Sequence, residues 1–419
     1  MIFAGICLSV LTVLCCGSSA NCVLRTIQQP VDHFVESSPH KTLEYYACGE
    51  HYVAGGPIFL YTAVGKSDSA VNSTGLMWEF GKEMGAFLIF AESSGSVISQ
   101  ILADYANLIV EINGEYKFPK STAVITFGVG YGGQFAAWMR SKYPHLVEGA
   151  VASGAPLFPT SLEFYESTFV AAAGSACIDR LRAAFRIIEQ WDVQHLIKVL
   201  GIEGDVLNWA ARPWGYLAMR NYPYATDNLP PNPLISACAI LTRHASDVSD
   251  LGILNSLAAS LKDVHQEHTE DVWAESVNIE AVLGNDKFRK KHETNLDTEF
   301  GISNPVDTIA AMSNTIWSNG ELDPWGTYAG VHCVGDDDAP PSGVALYDCP
   351  VSVLAPTVPG GVHGSDFQFT NPLDSSELTN IRRLETAHIS AWIEAKTLRY
   401  AHVEPQNVQL PNLRLLVVV

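Results

Sequence analysis

Basic residues are scarce. The 419-residue chain has 25 Lys and Arg against 45 Asp and Glu, a formal net charge of −20, so its surface repels phosphate backbones and anionic bilayers, and no local basic run offsets this. Nucleic acid is excluded as a partner. Also missing are a Gly-X-Y period, an internal repeat and any long apolar run beyond the N-terminus, which removes collagenous, solenoid and multi-span membrane architectures. Outside the first twenty residues no two cysteines have the C-x-x-C spacing of a zinc site. His265 and His268 lack the H-E-x-x-H order, and Asp336 to Asp338 lack the alternation of a calcium loop. The glycines of Gly128-Val129-Gly130-Tyr131-Gly132-Gly133 do not fit G-x-G-x-x-G, and no Lys-Ser/Thr pair follows them for a phosphate loop. The expectation is therefore no metal and no cofactor.

Against these absences stands a chain with 47% apolar and 17% charged residues, a balance that buries a large core and is not that of a disordered segment. Residues 1–20 are uncharged, apolar from Ile2 to Cys16, with Ser18 and Ala20 where a signal peptidase needs small residues. They read as a cleaved signal peptide rather than a stable membrane anchor, which implies a secreted or lysosomal protein. Six cysteines then remain: Cys22, Cys48, Cys177, Cys238, Cys333 and Cys349. That even number suits up to three disulfides in an oxidising compartment, with the pairing left open. Asn72-Ser73-Thr74 is a glycosylation sequon that agrees with this route.

Short β-rich apolar runs at 57–61, 86–91, 123–127 and 149–153 alternate with helical stretches, the pattern of a parallel sheet covered by helices. A helix over 134–142 joins the last two runs into a βαβ unit. From 161 to 306 the texture turns helical, with helices expected over 169–191, 193–200 and 251–265, and with Pro-rich breaks such as 229–234. Strand-like runs return at 315–317 and 351–355, and a closing helix spans 384–398. The expected organisation is an α/β domain from 21–160 and 307–419, interrupted by a helical cap domain at 161–306.

The turn after the third run has the glycine spacing of a nucleophile elbow, G-x-S-x-G, with Gly128 and Gly132 in the glycine places. The central residue is Gly130. Asp323 follows one later strand, and His363 sits in a Gly-rich loop after the next. Nucleophile, acid, histidine is the chain order of an α/β-hydrolase triad, in which the histidine takes the nucleophile's proton and the acid holds its tautomer.

At these residues the chain resembles a family, the prolyl serine exopeptidases. The matching stretches are residues 28–34, 55–62, 102–106, Tyr131-Gly132-Gly133 with Ala136-Ala137-Trp138, 142–147, 318–325 and Gly361-Val362-His363. The resemblance implies an α/β-hydrolase fold with an inserted, mainly helical cap, cleavage of peptide ends beside proline, and a peptide substrate or ligand containing proline. It places Asp323 and His363 in the catalytic set, the backbone of Tyr131 and Ala63 at the oxyanion hole, and Cys177 and Cys238 where cap cysteines stand. Three departures bear on activity. The family has Ser where this chain has Gly130; its Gly-rich acidic loop is replaced by residues 63–66; and a segment after Glu92 is shortened to residues 93–100. Without a side chain at residue 130 no acyl-enzyme forms there. Ser93, Ser94, Ser96 and Ser153 are the candidate substitutes near the cleft, and none is on the turn. The expected function is that of a catalytically impaired homologue. The alternatives are an active carboxypeptidase or dipeptidyl peptidase whose sequence is mis-assigned around 92–131, and a protein that binds proline peptides without cutting them. The oligomeric state stays open, a homodimer being one option.

Overall fold

A computed structural model describes residues 22–63, 68–93, 97–156, 169–202, 204–226, 229–262, 305–323, 325, 330–334 and 346–401. The strands are β1 (Val23–Pro30), β2 (His40–Cys48), β3 (Ile58–Thr62), β4 (Phe87–Ala91), β5 (Val124–Val129), β6 (Gly149–Ser153), β7 (Thr315–Gly320), β8 (Val353–Leu354) and β9 (Thr357–Val358). They pair in the order β1-β2-β4-β3-β5-β6-β7-β8, with β9 also on β7. The β1–β2 and β2–β4 pairs are antiparallel, and every pair from β4 onward is parallel. This is the α/β-hydrolase fold, with its one antiparallel excursion near the first edge.

Burial accounts for the strand sequences. β4, β6 and β7 are buried at every position, so they read as continuous small or apolar runs. β2 alternates instead, sending Leu43, Tyr45 and Ala47 inward. The first two strands pair through Cys22–Cys48 as well as the ladder. Neither strand is a continuous apolar run, and neither was among the expected strands.

Helices cover both faces. On one lie α1 (Asp68–Ser73), α2 (Gly75–Met84) and the C-terminal α11 (Ser376–Ala401), whose Met77, Phe80, Ile389 and Trp392 pack on Phe59, Phe127, Val151 and Ile316. On the other lie α3 (Ile98–Tyr116) and α4 (Tyr131–Lys142), whose Leu102, Tyr105, Phe135 and Trp138 pack on Ile58, Leu60, Ile89 and Val124. Alternate residues of one strand therefore serve opposite layers.

A separate apolar cluster is made by α5 (Ser175–Gln190), α6 (Val193–Leu200), α7 (Val206–Met219), α8 (Pro233–Thr242) and α9 (Asp250–Leu261) around Trp214, Leu181, Leu234 and Leu254. A further short helix, α10 (Pro305–Ala310), precedes β7. Local chemistry sets the helix starts. Asp192 accepts from the N–H groups of Gln194 and His195, and Ser249 from that of Gly252. Pro233 occupies the first turn of α8, where its missing N–H costs nothing.

Several boundaries differ from expectation. Gly174, at φ 82° and ψ 157°, interrupts the run expected over 169–191. The helix expected to 265 is described only to Leu261, and residues beyond 262, with His265 and His268, lie outside the described residues, as do Asp336 to Asp338. The closing helix is longer at both ends because its polar flanks carry no apolar period. The last expected strand shrinks to β8.

Cys177–Cys238 joins α5 to α8, and Cys333–Cys349 closes a second loop. The first closes a separation of 61 residues, and for a loop of that size chain entropy alone is worth about 4 kcal/mol. Replacing both Cys177 and Cys238 by Ala is expected to lower stability by up to about that amount, measured by denaturant unfolding. An unchanged midpoint would contradict this.

Candidate active site

β5 hands the chain to α4 through a single residue, Gly130, at φ 60° and ψ −128°. Its N–H donates to Ser153 O at 2.9 Å and its carbonyl accepts from the Gln134 N–H at 3.0 Å. The turn is crowded. A Cβ on Gly128 would lie 2.2 Å from Gly132 O, and one on Gly132 would lie 2.4 Å from Thr62 O. Gly130 itself occupies the left-handed region in which a larger residue is strained. A Cβ there would point into the cleft, 3.2 Å from His363 Nε2 and 3.2 Å from Trp325 Cζ3.

His363 is oriented from behind. Its Nδ1 lies 2.9 Å from Asp323 Oδ2, and Asp323 is fully buried beyond the end of β7. The other oxygen, Oδ1, accepts from the Trp325 N–H at 2.9 Å. A carboxylate on Nδ1 makes that nitrogen the donor and leaves Nε2 the acceptor toward residue 130. The His363 carbonyl accepts from the Tyr222 hydroxyl at 2.6 Å, and Gln368 Nε2 donates to that same hydroxyl oxygen at 3.1 Å. Burial raises the Tyr222 phenol well above its ordinary value, so it stays a donor. Trp325 stands edge-on to both His363, at 5.5 Å, and Tyr131, at 5.3 Å. Gly130, Asp323 and His363 thus meet at one place.

Ala63, expected to lend its N–H to an oxyanion hole, lies beside the elbow. Its N–H donates to Tyr105 Oη at 3.2 Å, and the Tyr105 hydroxyl donates back to Ala63 O at 2.9 Å. Burial raises the Tyr105 phenol, and the Ser93 side chain also bonds to it. Tyr131 begins α4 directly after Gly130. Ser153 is buried, and its hydroxyl donates to Asp366 Oδ1 rather than facing the cleft. Ser94 and Ser96 lie outside the described residues, and Asn72 is exposed on α1. Among the described residues no group of three or more His, Cys, Asp or Glu is placed to hold a metal ion.

Sequence reasoning missed Tyr222, Tyr105 and Gln368. The Tyr222 bond to a backbone carbonyl 141 residues away leaves no local pattern. Arg382 was also missed. It donates to the carbonyls of Ser365, Asp366 and Gln368 and so clamps the His363 loop to α11.

Residues 96–194, which contain the elbow, match the family model described as serine carboxypeptidase S28. The chain is 27% identical to the lysosomal Pro-X carboxypeptidase of Bos taurus over 454 residues, covering 88% of each chain. It is 26% identical to that of Homo sapiens over 452 residues, covering 87% of each. Among solved structures it is similar to a thermostable carboxylesterase cloned from a metagenomic library, with 10% identity, a TM-score of 0.39, and coverage of 89% of this chain and 88% of that one.

Gly154 tests whether the histidine and acid depend on backbone crowding. A Cβ there would lie 2.4 Å from Asp323 Oδ2 and 2.6 Å from His363 Nδ1, at a φ of +53°. Gly154→Ala is expected to separate the pair, abolish the downfield proton resonance of a carboxylate-bound imidazole N–H, and destabilise by about 1–3 kcal/mol by unpairing a buried acceptor. Retention of that resonance would contradict the prediction.

Proposed function

We propose that this chain is a secreted or lysosomal homologue of the serine-type prolyl exopeptidases that binds peptide ends beside proline and is impaired in cutting them. The observation that carries the reading is the direction of the elbow: a side chain on Gly130 would meet His363 Nε2 at 3.2 Å. Asp323 and His363 are disposed as orienting acid and base toward a nucleophile that Gly130 cannot supply. The peptide class follows from the S28 match and from the Pro-X carboxypeptidase relatives. Their lysosomal designation and the three disulfides support the compartment. No described helix is long and apolar enough to cross a membrane. Helices α5 to α9 are assigned the part of the cap, since Trp325, which flanks His363, packs into their cluster.

In the absence of a serine, the oriented imidazole has only water to activate. Hydrolysis by that route retains a residual acceleration of about 10³–10⁴-fold over the uncatalysed rate, the amount left when a triad member is deleted. An unfavourable oxyanion hole lowers it further, by about 10²–10³ per missing donor, and the Ala63 N–H is directed at Tyr105.

A fluorophosphonate probe reacts with an activated serine, and the chain is expected to stay unlabelled. Labelling at Ser93, Ser94, Ser96 or Ser153 would overturn the reading. Gly130→Ser restores the hydroxyl, but its Cβ needs His363 and Trp325 to give way by a few tenths of an ångström, and the strained turn costs about 1–3 kcal/mol. Weak labelling, lost again on adding His363→Ala, is the expected outcome. Vigorous cleavage of proline peptides by Gly130→Ser would show that one residue alone separates this chain from an active peptidase.

A further inference from the structure

Two acids lie behind the cleft without the cations that usually accompany buried charge. Asp366 stands in the short 3₁₀ turn Ser365–Phe367, three residues after His363, and Glu385 lies on α11; their exposures are 2% and 0%. Ser153 on β6 donates to Asp366 Oδ1. Asp366 Oδ2 and both Glu385 oxygens have no hydrogen-bond partner of ordinary geometry among the described residues.

The groups that act on the pair come from four elements. From β7 the Ser318 hydroxyl lies against both carboxyls, and it is neutral. From α7 and the turn after it, Tyr222 approaches Asp366 as a neutral phenol. From α11 itself comes Arg382, one turn before Glu385. Its guanidinium donates to three loop carbonyls and, at 2.8 Å, to Asp374 Oδ2, and to neither member of the pair. One cation is thus shared among three carboxyls, and Asp374 holds its hydrogen bond. Two neighbouring ionised carboxylates in such a place repel with little solvent to screen them.

We propose that Asp366 and Glu385 form an acid pair that shares a proton, pins α11 and the His363 loop to the sheet at acidic pH, and loosens as the pH rises. In the protonated state one carboxyl donates to the other, and Ser153 donates to the outer oxygen. Burial, and then the charge of Asp366, push the Glu385 carboxyl well above the carboxylate range, and burial raises Asp366. The sign of the linkage follows. Between the ordinary carboxylate value and the raised one, the folded chain holds a proton that the unfolded chain has released, so stability falls as pH rises through that window. The pair titrates as a unit, so neither residue is assigned its own midpoint. Its loss is felt at the site because Ser153, which holds Asp366, also accepts the Gly130 N–H, and because Asp366 and His363 share one loop.

The test is thermal unfolding of the purified chain and of Glu385→Gln, from about pH 5 to about pH 8. The wild-type midpoint is expected to fall by about 3 °C or more over that range. Glu385→Gln keeps a neutral donor beside Asp366 and is expected to remove most of the fall, melting above the wild type at the upper pH. A variant that retains the wild-type fall would overturn the proposal. Infrared difference spectroscopy of the wild type supplies a second reading that needs no variant. The carbonyl stretch of a buried protonated carboxylic acid should persist at neutral pH, well above the ordinary carboxylate value of about 4. Its absence would overturn the proposal equally.

Discussion

The backbone at Gly128, Gly132 and Gly133 passes so close to its neighbours that no side chain fits between them, and the cleft is arranged around that crowding. Added carbons at Gly128, Gly132 and Gly133 would meet Gly132 O, Thr62 O and the Ala155 side chain at 2.2, 2.4 and 2.8 Å. Thr62 completes the unit from β3, its hydroxyl lying 2.7 Å from Gly132 O and 3.1 Å from Phe127 O. β3, β5, β6 and α4 are therefore locked in close backbone contact. Residue 130 is carried at its apex, and the parallel register of β7 with β6 delivers the Asp323 turn to the same level.

That arrangement explains how the histidine and acid persist beside a glycine. Asp323 is fully buried, and its two oxygens are held by His363 Nδ1 and by the Trp325 N–H. Removing the partner of a buried acceptor typically costs about 1–3 kcal/mol, so the pair has a structural reason to remain whether or not a nucleophile stands before it. A serine at residue 130 would have no such tie. Its side chain would project into the cleft from a strained backbone, and glycine there avoids that strain. A side chain at residue 130 is thus mechanically dispensable to the fold, whereas the Asp323–His363 pair is not.

The legibility of the sequence follows the same division. The central strands were readable because both of their faces are buried and their residues form continuous apolar runs, as at 149–153. Chain order and glycine spacing were enough to single out Gly130, Asp323 and His363, since elbow and strand ends are local features. The antiparallel β1 and β2 were not readable: their exposed positions carry Arg25, Thr26, Thr42 and Glu44, which dilute the strand pattern. The bonding of Ala63 was hidden for a different reason. Its N–H is captured by Tyr105 on α3, 42 residues away, and only packing reveals that partner.

Two solutions to buried acidity flank the His363 loop. Ahead of it, Asp323 is satisfied by an imidazole and a backbone N–H, and it gives the imidazole its direction. Behind it, Asp366 and Glu385 face neutral hydroxyls and each other, while Arg382 turns its donors to the loop carbonyls and Asp374. The first acid depends on the fold to position a base; the second pair makes the fold depend on the proton. Since both act on one short loop, the conditions that hold His363 in place are set as much by the acids beneath it as by its partner in the cleft. A chain built this way keeps the geometry of a hydrolase site most firmly where protons are abundant, independently of whether residue 130 can complete the chemistry.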